Sequence, residues 1–338
     1  MKAIVKFADG AEGFGMRDVA RPVPARGELL LEVAYVGICG TDIHIIHDEY
    51  PHSLPVTLGH EYVATVAALG EGAEGFAVGD TVVSLACAFT CRTCAYCEAG
   101  LDMMCENRRS LGSWRDGAMS RFVVVPARSC FRVDGPPTDE KAAYEPAACC
   151  VRAVHEIGGV TAGDVVLVSG AGLIGQVCAQ LCKQAGARVV IAGLPSDSER
   201  LALAESLGAD RRADSAEAIA KALGDLGEPG FTLSFECAGA AASLANCIRF
   251  SKRHGRVVQV GLYGKGVQVD LDGALYKELR LLTSFGSNPS SWKMMLGLVG
   301  GIRLKPFLDR VLPLHAWEQA FRDAQGAKHF KVLMKIDG

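Results

Sequence analysis

The chain lacks the features of an exported or membrane-embedded protein. No apolar run in its 338 residues approaches the length that crosses a bilayer, and its opening residues, Met-Lys-Ala-Ile-Val-Lys, are too short and too interrupted for a signal peptide. Thirteen cysteines without an export signal indicate a reducing compartment, and their odd number argues against a complete disulfide framework. We therefore expect a cytoplasmic protein whose clustered cysteines bind metal.

An excess of positive charge is also missing. Lys and Arg number 35 against 38 Asp and Glu, a net charge of −3, which gives no electrostatic attraction for nucleic acid or anionic membrane. We find no repeat of the kind that builds solenoids and no low-complexity linker. With 49% hydrophobic residues over this length, the composition predicts a globular protein of two domains.

Four closely spaced cysteines form the sharpest motif. Cys91, Cys94, Cys97 and Cys105 give the spacing C-x2-C-x2-C-x7-C within a lobe at about 87–109. Scattered core cysteines are the alternative, but polar residues interrupt this run. Four thiolates complete a tetrahedron around zinc and leave no open position, so the motif predicts a structural zinc site. Such a lobe also occurs in nucleic-acid modules, so the rest of the chain must decide its context.

Two sequence patterns divide the chain. Residues 1–150 alternate apolar and polar positions, which predicts short antiparallel strands. Residues 151–284 alternate apolar strands with helices, which predicts an α/β domain with a doubly wound parallel sheet. We assign residues 285–338 to a return to the first domain, with helices near 291–300 and 316–325 and a last strand from Lys331.

A glycine-rich turn follows the strand that begins at Asp164. In Gly170-Ala-Gly-Leu-Ile-Gly175, the first glycine permits a tight turn, Gly172 lets a diphosphate approach the backbone, and Gly175 allows close helix packing. Leu173 and Ile174 complete the segment, and the following helix offers its N-terminal amides to the phosphates. The pattern predicts a dinucleotide site.

The acidic residue that usually binds the ribose 2′-hydroxyl is missing from this site. Gly193 occupies its position at the end of the second strand. Arg200 could therefore accept the 2′-phosphate of NADP, whereas Asp197 could bind the 2′-hydroxyl of NAD from a shifted position. The sequence leaves the choice between NAD and NADP open.

A second group of metal-ligand residue types is spread over the first 150 residues. Cys39 lies in a glycine-punctuated turn, His60 and Glu61 follow Gly59, and Glu145 precedes a proline. Cysteine, histidine and carboxylate are the ligands of a zinc ion that keeps one position open. Singly, each has an ordinary structural explanation; together they predict a reactive metal site.

From end to end, the order and spacing of these motifs resemble those of the zinc-containing medium-chain alcohol dehydrogenases. The chain is similar to the polyol branch, which includes sorbitol and threonine dehydrogenases, because Glu145-Pro146 stands where liver-type enzymes have a cysteine. The resemblance implies a Rossmann domain and a β-rich, GroES-like catalytic domain built from both chain ends. It also implies a homodimer or homotetramer.

The resemblance further implies the ligands of a catalytic zinc. Cys39 and His60 would bind the ion, joined by Glu61 or Glu145, and Asp42 would orient His60. With the cysteine lobe, two zinc ions per chain are expected.

Roles in proton transfer and cofactor binding are carried over in the same way. Thr41 would take the substrate proton, and His44 would pass it to solvent by way of the cofactor ribose. Gly261 and Tyr263 would flank the nicotinamide. Arg152 departs from the histidine often found in polyol dehydrogenases, which would alter the substrate cleft.

We therefore predict a zinc-dependent oxidoreductase that transfers hydride between a secondary alcohol, a polyol or sugar alcohol, and NAD or NADP. An L-threonine 3-dehydrogenase or another simple secondary-alcohol dehydrogenase is the nearest alternative. A zinc-free quinone reductase would lack both cysteine sites. A zinc-lobed module that binds nucleic acid without catalysis would need a basic face, and the net charge of −3 argues against one. We expect a small-molecule substrate and neither nucleic acid nor membrane as partners.

Overall fold

The structure is a computed structural model that describes residues 1–326 and 328–337. They divide into two compact units. The first unit comprises Met1–Pro146, Ser287–Trp292 and the chain from Leu304 onward, and the second comprises Ala147–Gly286 and Lys293–Arg303. Among the described residues, every helix is too short or too polar to cross a membrane.

The elements follow one another in chain order. The strands are β1 (Lys2–Lys6), β2 (Phe14–Asp18), β3 (Glu28–Gly37), β4 (Val56–Thr57), β5 (Glu61–Leu69), β6 (Thr81–Ser84), β7 (Phe122–Pro126), β8 (Cys130–Arg132), β9 (Val165–Ser169), β10 (Arg188–Ala192), β11 (Arg211–Ala213), β12 (Phe231–Glu236), β13 (Ser251–Gln259), β14 (Arg280–Thr283), β15 (Arg310–Pro313) and β16 (Val332–Lys335). The α-helices are α1 (Gly40–Ile46), α2 (Ala95–Glu98), α3 (Tyr144–Val151), α4 (Leu173–Gln184), α5 (Ser198–Ser206), α6 (Ala216–Asp225), α7 (Ala241–Phe250), α8 (Leu271–Leu275), α9 (Pro289–Leu298) and α10 (Trp317–Gln325).

Antiparallel strands dominate the first unit, as the alternating pattern predicts. A small sheet has the order β2-β1-β4, and a larger one has the order β15-β16-β3-β5-β6-β8, with β7 also paired to β3. Leu29, Leu31 and Val33 alternate along β3 and are fully or almost fully buried. Because β16 pairs with β3, residues from both ends of the chain build this β-rich unit, which confirms the predicted architecture.

A six-stranded parallel sheet forms the second unit, in the order β11-β10-β9-β12-β13-β14. All residues of β9 are buried, as expected for a strand covered on both faces by crossover helices. The strand order reverses between β9 and β12, and ligands of such sheets bind at the carboxyl ends of the strands around that point. The predicted doubly wound sheet is confirmed.

The segment predicted to return to the first unit, residues 285–338, does not lie wholly in that unit. Residues 293–303, which include the end of α9, belong to the second unit. The side chain of Gln180 explains this placement, because its Oε1 accepts from the amide of Arg303 at 2.8 Å and its Nε2 donates to the carbonyl of Arg303 at 3.3 Å.

Candidate active site

The turn at the start of α1 places Cys39 next to a buried carboxylate. Asp42 is fully buried, and its Oδ2 accepts a hydrogen bond from the Cys39 amide at 2.9 Å. Its Oδ1 accepts from the amide of Gly59 at 3.2 Å, while Nδ1 of His60 lies 3.9 Å away, too far for a hydrogen bond. Asp42 thus fixes the backbone amides of Cys39 and Gly59, and its charge acts on His60. Its role in orienting the imidazole stays a prediction.

Cys39, His60 and Glu61 converge on one point. Their ligand atoms all lie within 4.8 Å of one another, close enough to share one ion. Burial acts to lower the pKa of His60, but the neighbouring Cys39, Asp42 and Glu145 outweigh it and raise that pKa well above its usual value. Glu145 is outside this group of three but is buried, and its charge acts on His60. The donor set fits a zinc ion with an open position.

Lys331 also belongs to this cluster, although no motif in the sequence points to it. Lys331 and Glu61 are both buried, and Nζ of Lys331 contacts Oε2 of Glu61. Burial acts to lower the pKa of Lys331, but the charges of Glu61 and Cys39 outweigh it and raise that pKa. Gly37 makes room for the pair, because a Cβ there would lie 2.6 Å from Oε2 of Glu61. In the sequence, the only sign of this ion pair is a single lysine just before an apolar strand.

Two predicted proton-transfer residues lie on α1. The Thr41 hydroxyl is 3.7 Å from Sγ of Cys39, so it stands beside the three-ligand cluster. His44, one turn further along the helix, is partly exposed, and its Nδ1 lies 2.7 Å from Oε2 of Glu49.

The four lobe cysteines are brought together as predicted. Their sulfurs lie within 4.8 Å of one another, with Cys91 3.5 Å from Cys105 and 4.0 Å from Cys97. Sulfurs at the corners of a tetrahedral zinc site are about 3.8 Å apart, since each lies about 2.3 Å from the metal. Hydrogen bonds from the backbone and side chain of Thr93 lower the pKa of Cys91 to about 6, which favours the thiolate. This lobe fits a structural zinc ion.

The glycines of the β9–α4 turn have the close contacts and the open space that the predicted dinucleotide turn requires. A Cβ on Gly170 would lie 2.8 Å from the Ala238 amide, and one on Gly175 would lie 1.8 Å from the carbonyl of Gly170. Gly172, at the start of α4, faces open space instead, so a diphosphate can approach its backbone. Leu173 and Ile174 form the first turn of α4. These residues fit a dinucleotide.

An acidic side chain does lie at the end of β10, although Gly193 itself has none. Oδ2 of Asp197 accepts from the Leu194 amide at 2.9 Å and would lie 3.0 Å from a Cβ on Gly193. Arg200 follows in the first turn of α5, where its carbonyl accepts from the side chain of Gln176 at 2.8 Å.

The predicted nicotinamide-flanking segment is fixed by a buried acid that the sequence analysis did not single out. Glu236 ends β12, and its Oε1 accepts from the amides of Ala238 and Gly239 at 2.9 and 3.0 Å. Its carbonyl accepts from the Gly261 amide at 2.9 Å. Burial and the charge of Glu236 raise the pKa of Tyr263, which keeps that phenol neutral.

Arg152 lies in a π-helical turn, Arg152–Ile157, that continues α3. Its side chain is buried, Nη1 donates to the carbonyl of Phe285, and Nε lies 3.7 Å from Oε2 of Glu156. These contacts hold the guanidinium within the second unit.

Comparisons with known proteins agree with a metal site in the first unit and a dinucleotide site in the second. Residues 25–135 match the alcohol dehydrogenase GroES-like domain, and residues 174–300 match the zinc-binding dehydrogenase domain. The chain is 32% identical to a sorbitol dehydrogenase from Halalkalibacterium halodurans, over 99% of both proteins. It is also 32% identical to an L-threonine 3-dehydrogenase from Yersinia pestis, over the full length of both.

Solved structures give the same result. A protein described as a zinc-binding dehydrogenase from Sinorhizobium meliloti, with NADP bound, superposes with a TM-score of 0.88 at 31% identity, over 99% of this chain and 98% of that one. An Escherichia coli alcohol dehydrogenase complexed with NADH superposes with a TM-score of 0.88 at 26% identity, over 99% of each chain. With full-length relatives above 30% identity and both halves of the family architecture present, the chain belongs to the zinc-containing medium-chain dehydrogenases.

Proposed function

We propose that this oxidoreductase acts on a secondary alcohol of the polyol class. The observation that carries the proposal is the cluster of Cys39, His60 and Glu61, with Glu145 near it, in a fold whose second unit has the glycine turn of a dinucleotide site. Bound zinc supplies Lewis acidity toward the substrate oxygen, and bound nicotinamide supplies the hydride acceptor. Two zinc ions per chain are proposed, one in this cluster and one in the cysteine lobe.

The protein's own groups hold and move the substrate proton. Cys39 and His60 hold the metal site together with a carboxylate of Glu61 or Glu145. Thr41, beside Sγ of Cys39, accepts the hydroxyl proton of the substrate and gives up its own as the alcohol is oxidised. His44, which is partly exposed, is the group that finally releases the proton to water.

A threonine 3-dehydrogenase is the second candidate, because a threonine and a sorbitol enzyme are each 32% identical to this chain. The decisive experiment measures NAD and NADP reduction across polyols, sugar alcohols, L-threonine and simple alcohols. It is paired with metal analysis of the purified protein. We expect the highest kcat/KM on a polyol and close to two zinc ions per chain. A preference for L-threonine would replace the polyol proposal, and a zinc content near zero without chelation would refute the two-site proposal.

For the cofactor, we propose that Asp197 binds the adenosine ribose in place of the missing acid at position 193. Its carboxylate sits against Gly193 at the end of β10, where the 2′-hydroxyl of NAD would lie. The same negative charge would repel the 2′-phosphate of NADP. This position of Asp197 favours NAD over the alternative in which Arg200 accepts a 2′-phosphate.

For the assembly, we propose a homo-oligomer built through the edge of the parallel sheet. β14 is the edge strand, so one side of its backbone is unpaired within the described residues. Leu271, Leu275 and Tyr276, which precede β14 in the chain, and Leu281 within it are 44–71% exposed, so this apolar edge could be covered by a second copy of this chain.

We place the enzyme in the cytoplasm. The described cysteines form no disulfide bond, and five of the thirteen, Cys39 and the four of the lobe, belong to the proposed metal sites. Thiols survive in this state in a reducing compartment. Recovery of the native enzyme in the cytosolic fraction after cell fractionation would support this placement, and recovery from an oxidising compartment would refute it.

A further inference from the structure

The turn after α1 carries an acid that contacts His44 in two ways. Oε2 of Glu49 lies 2.7 Å from Nδ1 of His44, and the amide of Glu49 donates to the carbonyl of His44 at 2.8 Å. An ionised carboxylate can only accept a hydrogen bond, so Nδ1 must carry the hydrogen of the side-chain contact. In the neutral imidazole, the lone pair then lies on Nε2. The carboxylate is half exposed, so the pair also reaches solvent.

A buried lysine holds this turn in place. Lys6 is fully buried, and its Nζ donates to the carbonyls of Gly10 at 2.8 Å and Ile46 at 3.1 Å. The same Nζ lies 2.9 Å from Oδ1 of Asp48, whose backbone has a positive φ of 58°. An isolated surface pair would contribute little, but here the residue before Glu49 is fixed from the protein interior.

We propose that Glu49 is a positioning residue for proton transfer. This proposal rests on the proposed function, in which His44 receives the substrate proton. Glu49 holds the His44 ring with hydrogen on Nδ1 and the lone pair on Nε2. Thr41 takes the proton of the substrate hydroxyl as it gives up its own, the proton that reaches His44 binds Nε2 to give an imidazolium beside the Glu49 carboxylate, and it then passes to water. Hydride transfer to the nicotinamide remains a separate step.

The tautomer of His44 tests the proposal without any turnover. We would record nitrogen spectra of ¹⁵N-histidine-labelled protein at a pH where imidazoles are neutral, and assign His44 from its loss in His44→Gln. The wild type should show the Nδ1–H form, and Glu49→Ala should show a mixture of both forms. Asp309→Asn is the matched control, because Asp309 contacts Nδ1 of His329 at 3.0 Å. An unchanged His44 tautomer in Glu49→Ala would overturn the proposal.

A double-mutant cycle tests the same contact in catalysis. Glu49→Ala should lower kcat about tenfold, less than the hundredfold or more that a whole general acid–base group contributes. In a His44→Gln background it should have almost no further effect, and Glu49→Asp should retain part of the activity. Equal losses in both backgrounds would show a merely structural role. Full activity of His44→Gln would overturn the relay and this proposal, whereas the substrate panel tests the dehydrogenase reaction itself.

Discussion

The Lys331–Glu61 ion pair is the least expected residue-scale feature of the site. Glu61 stands opposite Gly37 in the pairing of β5 with β3, and Leu333 stands opposite Gly37 on the other side. The missing side chain at Gly37 therefore leaves space in which Nζ of Lys331 reaches the carboxylate. A lysine and a metal ion would compete for the same oxygen atoms.

Replacement of this lysine should destabilise the protein most when zinc is absent. Lys331→Met leaves the buried Glu61 carboxylate without its partner, and breaking a buried pair costs about 3–5 kcal/mol. A cation bound nearby can take over part of the lysine's role, so the loss of melting temperature should be smaller with zinc than with a chelator. Thermal unfolding of wild type and variant under both conditions measures this difference. Lys331→Arg is the control, and an equal loss under both conditions would contradict the competition.

Cofactor choice is also decided at the scale of single residues. Asp197→Asn removes the charge that we place beside the ribose, so it should raise the ratio of kcat/KM for NADP to kcat/KM for NAD. The corresponding free-energy change should be about 1–3 kcal/mol, the size of hydrogen bonds to charged groups. Binding of each dinucleotide, followed by fluorescence, should change in the same direction. Glu199→Gln, two residues further along the chain and exposed, is the control. If wild type prefers NADP and Asp197→Asn leaves the ratio unchanged, Asp197 does not bind the ribose.

At the scale of elements, the cysteine lobe and the α1 turn should respond differently to the loss of one thiol. A structural zinc ion contributes folding energy, so Cys97→Ala should lower the melting temperature and release one zinc ion per chain. Cys39→Ala should abolish turnover but still fold and bind dinucleotide.

Zinc analysis, calorimetry and dinucleotide binding on both variants measure these outcomes. Cys87→Ala is a matched control, because Cys87 is buried at the start of the lobe but is outside the group of four ligand cysteines. It donates to the Asp102 carbonyl at 3.4 Å, and burial raises its pKa to about 12. A stable, inactive Cys97→Ala together with an active Cys39→Ala would reverse the two roles.

Elements with a strong local signal could be predicted from the sequence. The apolar run of β9 and the glycines after it specify a strand, a turn and a helix within a few residues, and the structure has all three. The cysteine lobe is equally local. Lys331 and Glu61 are 270 positions apart, and only the pairing of β16 and β5 with β3 brings them together. The sequence indicates Asp197 only as a shifted substitute for the missing acid, because its position against Gly193 depends on the turn between β10 and α5.

At the scale of the whole molecule, the exposed sheet edge should control assembly. Tyr276→Asp places a charge in the apolar edge beside β14, where Tyr276 is 71% exposed, so it should shift the protein towards monomer. Light scattering after size exclusion measures the mass of each variant. Val78→Asp is the control, because Val78 is 64% exposed but lies in the first unit. A wild type that is already monomeric would refute the proposed oligomer, and an unchanged oligomer in Tyr276→Asp would refute this interface.

The pairing of β16 with β3 also has a consequence for synthesis. The sheet of the second unit is complete in one continuous stretch of chain, so it can form while the ribosome is still at work. In the larger sheet of the first unit, β5 and β7 can pair with β3 early, but the Tyr35–Gly37 end of β3 lacks its β16 partner until residue 335 has been translated. Cys39, His60 and Glu61 therefore leave the ribosome long before Lys331, and metal delivered during translation would meet the Glu61 carboxylate before its lysine partner exists.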